Sequence, residues 1–310
     1  MQQTPVRERA DLVERPLALT RIPLAAVLAM RPKQWLKNVL VFAAPAAAGV
    51  LDEPEMLRTV TLAFAAFCLA ASSLYVLNDL VDRERDQSHP DKRSRPVASG
   101  RLSTRLALVV ASTAAVAAAA IAVGTINAAF SWLLAGYAVN TITYTLWGKH
   151  QPVVDLLQVS LGFVLRAVGG ALAADVRISV WFAVVAMFGS LLIVVGKRLA
   201  EMRHLGDLGA KTRPSLARYP EAFLRHIHAV ATGGMLLTYS LWAFEVSETA
   251  STTLPWFEIS IAPVVLAVFR YDYLVELGRT QAPEDAILSD PVIAIGFVGW
   301  AVLALTGVYG

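Results

Sequence analysis

The chain has 310 residues, of which 56% are hydrophobic and only 16% are charged, and its mean hydropathy is +0.55. Charged residues make up about a quarter of ordinary soluble domains, so this composition excludes a typical soluble protein and indicates a membrane protein. The small net charge of +3 reflects membrane topology and anionic ligands better than nucleic acid, which usually binds a basic soluble domain.

Nine apolar segments are long enough to cross a bilayer as helices. The alternating pattern of a membrane β-barrel is absent, so the sequence predicts an all-α integral membrane protein with nine transmembrane helices. We expect residues 1–24 to form a cytoplasmic arm and residues 25–310 to form one transmembrane catalytic domain. The predicted spans are 34–52, 57–81, 104–123, 126–147, 152–173, 178–198, 223–244, 257–276 and 290–309.

Basic residues lie almost entirely on one side of these spans. Of the 27 Lys and Arg, 24 fall on the side of the N-terminus and of the loops after even-numbered spans, and the exceptions are Arg58, Arg177 and Arg166. Because cytoplasmic loops are enriched in Lys and Arg, this bias predicts a cytoplasmic N-terminus and an outer C-terminus in the plasma (inner) membrane.

The first predicted span opens with "RPKQWLKN", residues 31–38. Lys33 and Lys37 are four positions apart and can point together into a site, whereas Arg31 is best explained as a charge that sets topology.

The second span ends in "NDLVDRERD", residues 78–86. If the helix continues, Asp79, Asp82 and Asp86 share one face, and like charges so stacked repel unless a cation binds them. Carboxylate oxygens suit Mg²⁺, which commonly bridges proteins to substrate phosphates. We therefore expect Mg²⁺ ligands at Asp79 and Asp82, with Asn78 and Asp86 beside them.

Basic residues follow, and they could neutralise phosphates held by that metal. The simpler alternative for these residues is a solvated loop at the membrane surface, or an interfacial anchor in the case of "YTLWGKHQPVVD", residues 144–155. Arg166 lies about halfway along the fifth span, where a charge is costly unless it faces a cavity or a partner. The candidates for substrate binding are Lys33, Lys37, Asn78, Asp86, Lys92, Arg95, Tyr144, Lys149, Asp155, Arg166, Lys197 and Arg198.

The loop after the sixth span begins with "GKRLAE", residues 196–201. Lys197 and Glu201 are four apart and Arg198 is three from Glu201, so the simplest interpretation is an ion pair at a helix end. The functional alternative is that Glu201 adds a second acidic group opposite the first motif, so that a diphosphate is held from two sides.

These motifs resemble those of a known family. "NDLVDRERD" is similar to the first aspartate-rich motif, NDxxDxxxD, of the UbiA superfamily of intramembrane prenyltransferases, which have nine transmembrane helices around a central cavity. The second motif departs from the usual aspartate-rich pattern. That departure, with "RPKQWLKNVLVFAAP" and "DQSHPDKRSRPVASG", resembles the decaprenyl-phosphate phosphoribosyltransferase branch.

The resemblance implies a reaction and a cofactor. It implies transfer of 5-phosphoribosyl from phosphoribosyl pyrophosphate (PRPP) to a polyprenyl phosphate, with release of pyrophosphate, on the route to cell-wall arabinan. It also implies that Asp79, Asp82 and Glu201 act as the catalytic residues by holding Mg²⁺. The surplus of basic residues favours PRPP, which carries phosphate at both ends of the sugar.

Two other functions stay open. A prenyltransferase that moves a prenyl group from its diphosphate to an aromatic acceptor would share the first motif and Mg²⁺, but would need fewer bases. A transporter or channel for an anionic lipid or ion would explain Arg166, but not three stacked carboxylates beside a basic loop. The sequence is compatible with a homo-oligomer.

Overall fold

The computed structural model describes residues 22–90, 92–205, 218–249, 254–278 and 289–310. Within these ranges all regular secondary structure is helical, as expected. The predicted N-terminal arm falls almost entirely outside the described residues, so the domain boundary at residue 25 stays a prediction.

The helices follow the predicted spans closely in order and position. In chain order they are α1 Ile22–Ala29, a first 3₁₀ helix Pro32–Phe42, α2 Ala43–Ala47, α3 Pro54–Val81, α4 Arg83–Gln87, α5 Thr104–Thr125, α6 Ala128–Leu146, a second 3₁₀ helix Gly148–His150, α7 Val154–Ala173, α8 Val180–Leu205, α9 Glu221–Thr249, α10 Trp256–Ile259, α11 Ile261–Glu276 and α12 Pro291–Tyr309.

Six of the described helices are long and apolar enough to cross a membrane, namely α3, α5, α7, α8, α9 and α12. The chain is therefore a multi-pass membrane protein. The other three predicted spans differ: α6 has the length but carries more polar residues, α11 has only 16 residues, and the first span is divided. The structure therefore does not confirm the count of nine.

The first predicted span is divided between a 3₁₀ helix of 11 residues and the short helix α2. Runs of 3₁₀ helix this long are uncommon because their hydrogen bonds are poorly aligned. Here the segment packs closely on α7, where a Cβ atom on Gly170 would lie 1.7 Å from the carbonyl oxygen of Val41. Only a glycine lets the two backbones approach in this way.

The helices pack mainly against their neighbours in the chain. The last helix, α12, also contacts the early helix α2. One apolar core lies between α3, α5, α6 and α7, where Phe67 packs edge-on against Phe130 with ring centroids 5.7 Å apart. A second core is formed by residues of α7, α8, α9, α10, α11 and α12, where Trp242 of α9 packs against Phe257 of α10. This arrangement brings the ends of α3 and α8 and the α6–α7 turn to the same end of the bundle.

Candidate active site

The predicted acidic face forms across a short break in the helix. Asp82 separates α3 from α4, yet the backbone N–H of Asp82 donates to Asn78 at 2.9 Å and that of Asp86 donates to Asp82 at 2.8 Å. The helical path therefore continues, and Asp79 and Asp86 stay on the same side. Both carboxylates are buried, with 2% of each residue exposed.

Arg95 bridges these two carboxylates. Its Nη1 lies 3.2 Å from Asp79 Oδ1 and 2.6 Å from Asp86 Oδ2. A hydrogen bond joins the loop that carries Arg95 to α4: the side chain of Gln87, the last residue of α4, donates to the carbonyl of Ala98 in the loop at 3.1 Å. The basic loop is thus folded back over the acidic face that precedes it, and Lys92 lies half-buried in the same turn.

Arg31 also binds Asp79, although the sequence suggested only a topological role for it. The residue adopts a left-handed conformation, with φ 54°, just before the first 3₁₀ helix. Its guanidinium forms an ion pair with Asp79 and lies 5.2 Å from the centre of the Tyr75 ring. Lys33, which seemed the better candidate, is exposed, and Lys37 Nζ lies 5.9 Å from the Phe163 ring.

Lys149 provides the third cation. Its Nζ lies 2.7 and 2.9 Å from the two carboxylate oxygens of Asp82, and the exposed Arg85 lies 3.6 Å from the same carboxylate. Burial and the charges of Lys149 and Arg85 lower the pKa of the neighbouring His150. We call Asp79, Asp82, Asp86, Arg31, Arg95 and Lys149 the first ionic group.

A second ionic group, consisting of Asp155, Arg198, Glu201 and Tyr219, joins α7 and α8. Arg198 Nη1 lies 3.1 Å from Glu201 Oε2, and its Nε lies 3.7 Å from Asp155 Oδ2. Lys197 is exposed. The ion pair at this helix end therefore uses Arg198, because position 198 faces α7 and position 197 does not.

Tyr219 is the member of this group that sequence reasoning missed. Its hydroxyl donates to Asp155 Oδ1 at 2.5 Å and accepts a hydrogen bond from the Val153 N–H. Val153 has φ 70°, an unfavourable value for a β-branched residue. Burial and the hydrogen bond to Asp155 raise the pKa of Tyr219, which keeps the phenol protonated as the donor. No spacing signal linked a tyrosine 64 residues away to Asp155.

Tyr144 lies near both ionic groups. It is close enough to Lys149 of the first group and to Arg198, Asp155 and Glu201 of the second to interact with their charges. The predicted residues Asp79, Asp82, Asp86, Arg95, Tyr144, Lys149, Asp155, Arg198 and Glu201 are thus gathered at one end of the bundle. The loop after α8 also contains Asp207, Lys211 and Arg213, which follow Glu201 much as Asp86, Lys92 and Arg95 follow Asp82, but these three residues lie outside the described residues.

Arg166 lies much deeper, in the middle of α7. Its guanidinium donates to Asn38 Oδ1 at 2.6 Å, to the Gly162 carbonyl at 2.5 Å and to the Tyr137 hydroxyl at 2.8 Å. Protein partners therefore compensate this buried charge, as a charge inside a membrane requires. The arrangement ties the first 3₁₀ helix to α6 and α7, and a role for Arg166 in substrate binding stays a prediction.

The oxygen donors of the first ionic group suit Mg²⁺ chemically. In the part of the chain that the structure describes, however, no three His, Cys, Asp or Glu side chains are arranged to hold one ion. Each carboxylate is turned toward a guanidinium or ammonium group instead. Metal binding at this site requires these cations to find other anionic partners.

A sequence model of the UbiA prenyltransferase family matches residues 39–290. The chain is 39% identical over 290 residues to a decaprenyl-phosphate phosphoribosyltransferase of Corynebacterium glutamicum, covering 91% of this chain and 86% of that protein. It is also 39% identical over 302 residues to the enzyme of that name from Mycobacterium tuberculosis, covering 94% and 95%.

Solved structures share the fold at much lower identity. A UbiA homolog from Archaeoglobus fulgidus bound to DMAPP and Mg²⁺ has a TM-score of 0.69 and 17% identity, covering 90% of this chain and 99% of that one. A digeranylgeranylglyceryl phosphate synthase has a TM-score of 0.65 and 14% identity, covering 93% and 99%. At this identity the similarity concerns the arrangement of helices alone.

Proposed function

This chain belongs to the UbiA prenyltransferase family, and we propose that it transfers 5-phosphoribosyl from PRPP to a polyprenyl phosphate, with release of pyrophosphate. Relatives named decaprenyl-phosphate phosphoribosyltransferase, at 38 to 39% identity over most of the chain, support this substrate pair. A decaprenyl chain and a role in cell-wall arabinan synthesis are parts of the same proposal.

The observation that carries the proposal is the set of three cations facing three carboxylates in the first ionic group. Arg31, Arg95 and Lys149 are held at one end of the bundle, where they can exchange carboxylate partners for phosphate oxygens. Guanidinium and ammonium groups bind phosphate strongly, and a guanidinium can do so through two parallel hydrogen bonds. PRPP carries a diphosphate and a separate phosphate, so it can use more cations than a prenyl diphosphate.

The exchange would also release the acidic side chains. Asp79, Asp82 and Asp86, with Asn78, would then be able to hold Mg²⁺. Glu201 would join them when its partner Arg198 binds phosphate. When bound there, the ion would supply positive charge that stabilises the departing pyrophosphate.

The residues of the chain then have distinct roles in the reaction. Arg31 and Arg95 would bind and orient the diphosphate. Lys149, Lys92 and Arg198 would neutralise the remaining phosphate charge, including that of the sugar phosphate. The acceptor phosphate is already anionic at neutral pH, so its attack on C1 of the ribose needs no strong general base.

The same proposal includes an orientation in the membrane. The ionic groups would face the cytoplasm, where PRPP is dissolved, and the polyprenyl tail would lie among the apolar helices. The C-terminus would then lie outside, in agreement with the distribution of basic residues in the sequence.

The second candidate is transfer of a prenyl group to an aromatic acceptor. It is favoured by family membership and by a 4-hydroxybenzoate octaprenyltransferase that is 27% identical over 196 residues, 60% of this chain. The phosphoribosyltransferase relatives cover far more of the chain at higher identity, so we rank prenyl transfer second.

One assay separates the two reactions. The purified protein in lipid nanodiscs, with Mg²⁺ and a polyprenyl phosphate, should release pyrophosphate from labelled PRPP and produce a labelled lipid. A parallel mixture would contain a prenyl diphosphate and an aromatic acceptor. Turnover in the second mixture alone would refute the proposal.

A matched pair of variants tests the metal-binding assignment. Asp82→Asn should reduce turnover at least 100-fold without unfolding the protein, because an amide is a much weaker Mg²⁺ ligand. Glu84→Gln removes an exposed carboxylate two residues away and should stay near wild-type activity. Equal activity of the two variants would remove Asp82 from the site.

A further inference from the structure

The turn between α6 and α7, residues 147–153, carries one of the three cations of the first ionic group. Lys149 lies in the second 3₁₀ helix of this turn, and its Nζ contacts Asp82 at 2.7 and 2.9 Å. A lysine ammonium group is carried on a flexible four-carbon stem, so its reach depends on where the backbone holds the Cα atom. The shape of the turn therefore decides whether Lys149 reaches the site.

The turn ends in a backbone conformation that valine rarely adopts. Val153, the residue before α7, has φ 70° and ψ −49°. A branched Cβ makes this region costly, and a residue stays there only when the surrounding structure fixes it. Val153 is 43% exposed, so burial of its side chain does not account for the conformation. The groups that bind its backbone have to hold it.

Tyr219 binds that backbone. Its hydroxyl accepts a hydrogen bond from the Val153 N–H and donates to Asp155 Oδ1 at 2.5 Å, so it bridges the last residue of the turn and the first turn of α7. The ring stacks on Phe223 with 6.1 Å between the centroids, and Tyr219 is only 6% exposed. The hydroxyl is thus held in place by groups outside the turn.

The other end of the turn is held separately. A Cβ atom on Gly148 would lie 1.6 Å from Gln158 Oε1, so the turn starts in close contact with α7. Gln158 Nε2 also donates to Thr143 Oγ1 of α6 at 3.0 Å. Lys149 therefore lies between a start that is fixed by α7 and an end that is fixed by Tyr219.

We propose that Tyr219 is a positioning residue for Lys149. Its hydroxyl holds Val153 in the strained conformation, and the turn so shaped places the Lys149 ammonium group against Asp82, where it can exchange that carboxylate for a phosphate oxygen of PRPP. A group that is held in place before the substrate arrives loses less conformational entropy on binding. The exchange rests on the proposed function, whereas the placement of Lys149 does not, so the two can be tested apart.

Lysine labelling tests the placement without any substrate. The full-length protein in nanodiscs would be treated with an amine-reactive reagent, and modification of each lysine would be followed by peptide mass spectrometry. Tyr219→Phe keeps the ring and removes the hydroxyl. Only 14% of the Lys149 side chain is exposed, so we expect it to react about five-fold faster in this variant, because release of the turn removes its protection. The exposed Lys33 should react equally in both proteins, and a Tyr309→Phe control should leave both rates unchanged.

A second substitution separates backbone strain from the other effects of the lost hydroxyl. Glycine adopts a positive φ without strain, so Tyr219→Phe combined with Val153→Gly should return labelling of Lys149 to within about two-fold of wild type. Alanine also removes the branched side chain but disfavours a positive φ, so Tyr219→Phe combined with Val153→Ala should not. Neither second substitution replaces the hydrogen bond that Asp155 loses. Recovery with glycine alone therefore assigns the effect to the turn.

Kinetics then connects the placement to the reaction. Tyr219→Phe should raise the KM for PRPP by about ten-fold, the lower end of what a hydrogen bond to a charged group contributes. The kcat should stay within about two-fold of wild type, because the lost contact is already made in the bound ground state. The double variant with Val153→Gly should recover the KM. A purely structural role would lower the fraction of active protein, and with it the apparent kcat, without changing the KM.

Unchanged labelling of Lys149 in Tyr219→Phe would overturn the proposal, and so would equal labelling in the glycine and alanine double variants. If Tyr219→Phe does not fold, the glycine double variant decides. A folded protein with protected Lys149 supports the proposal, and an unfolded protein or an unprotected Lys149 refutes it. The expected labelling in a protein that does not turn over PRPP would support the placement of Lys149 and refute the proposed reaction.

Discussion

Replacing Arg95 with glutamine tests how the first ionic group is held together. The guanidinium contacts Asp86 at 2.6 Å and Asp79 at 3.2 Å. Asp79 would keep Arg31 as a partner, whereas Asp86 has no other ion pair among the described residues. The variant therefore leaves one buried carboxylate without its compensating charge.

The cost can be estimated from this geometry. Removing one partner of a buried ion pair typically destabilises a protein by about 3–5 kcal/mol. Arg95 is itself 26% exposed, so water partly screens the pair, and we expect a loss of about 2–3 kcal/mol. The loss should appear as a lower unfolding temperature in nanodiscs without Mg²⁺.

Magnesium should then distinguish the variant from the wild type. With the competing guanidinium gone, the carboxylates of Asp79 and Asp86 are more available, and apparent Mg²⁺ affinity should rise by about ten-fold, equivalent to about 1.4 kcal/mol. The KM for PRPP should rise in the same variant, because a phosphate-binding group is lost.

The matched control is Arg93→Gln, which alters an exposed arginine in the same loop and should leave all three quantities unchanged. The measurement is thermal unfolding as a function of Mg²⁺ concentration, followed by steady-state kinetics. Unchanged or weaker Mg²⁺ binding by Arg95→Gln would refute the idea that cations and metal compete for these carboxylates.

Three further outcomes follow from the packing and the second ionic group. Tyr219→Phe should lower the unfolding free energy by about 1–3 kcal/mol, because Asp155 and the Val153 N–H each lose a hydrogen-bond partner. The control Tyr309→Phe, at an exposed position, should be neutral. Equal stability of the two variants would contradict a structural role for the Tyr219 hydroxyl. Gly170→Ala should strongly destabilise the protein, because the new Cβ atom would lie 1.7 Å from the Val41 carbonyl oxygen. Gly136→Ala should be neutral or slightly stabilising in the same thermal assay, because a Cβ atom there would have no neighbouring atom within 4 Å. Arg166→Gln should cost about 1–3 kcal/mol for each buried hydrogen-bond partner that it leaves unpaired. Wild-type stability of this variant would exclude the tie between the first 3₁₀ helix and α7.

Much of the candidate site could be predicted from the sequence because its residues lie close to one another in the chain. Asp79, Asp82 and Asp86 share a helical face by spacing alone, and Arg95 follows within the same loop. The sequence did not predict that Arg31, and not Lys33, would enter the site. That outcome depends on a left-handed residue at the start of a 3₁₀ helix, where the pattern suggested a regular α-helical span.

The sequence by itself determined the class of this protein: its apolar segments require helices in a membrane, and its first motif requires compensation for three stacked carboxylates. Only the tertiary structure decided which cations provide that compensation, since Lys149 reaches Asp82 from 67 positions away and Tyr219 joins Asp155 across the bundle. Helical periodicity fixes the face on which a side chain lies, because it depends on neighbours in the chain. The partner opposite that face depends on how distant helices pack, and no local pattern encodes that.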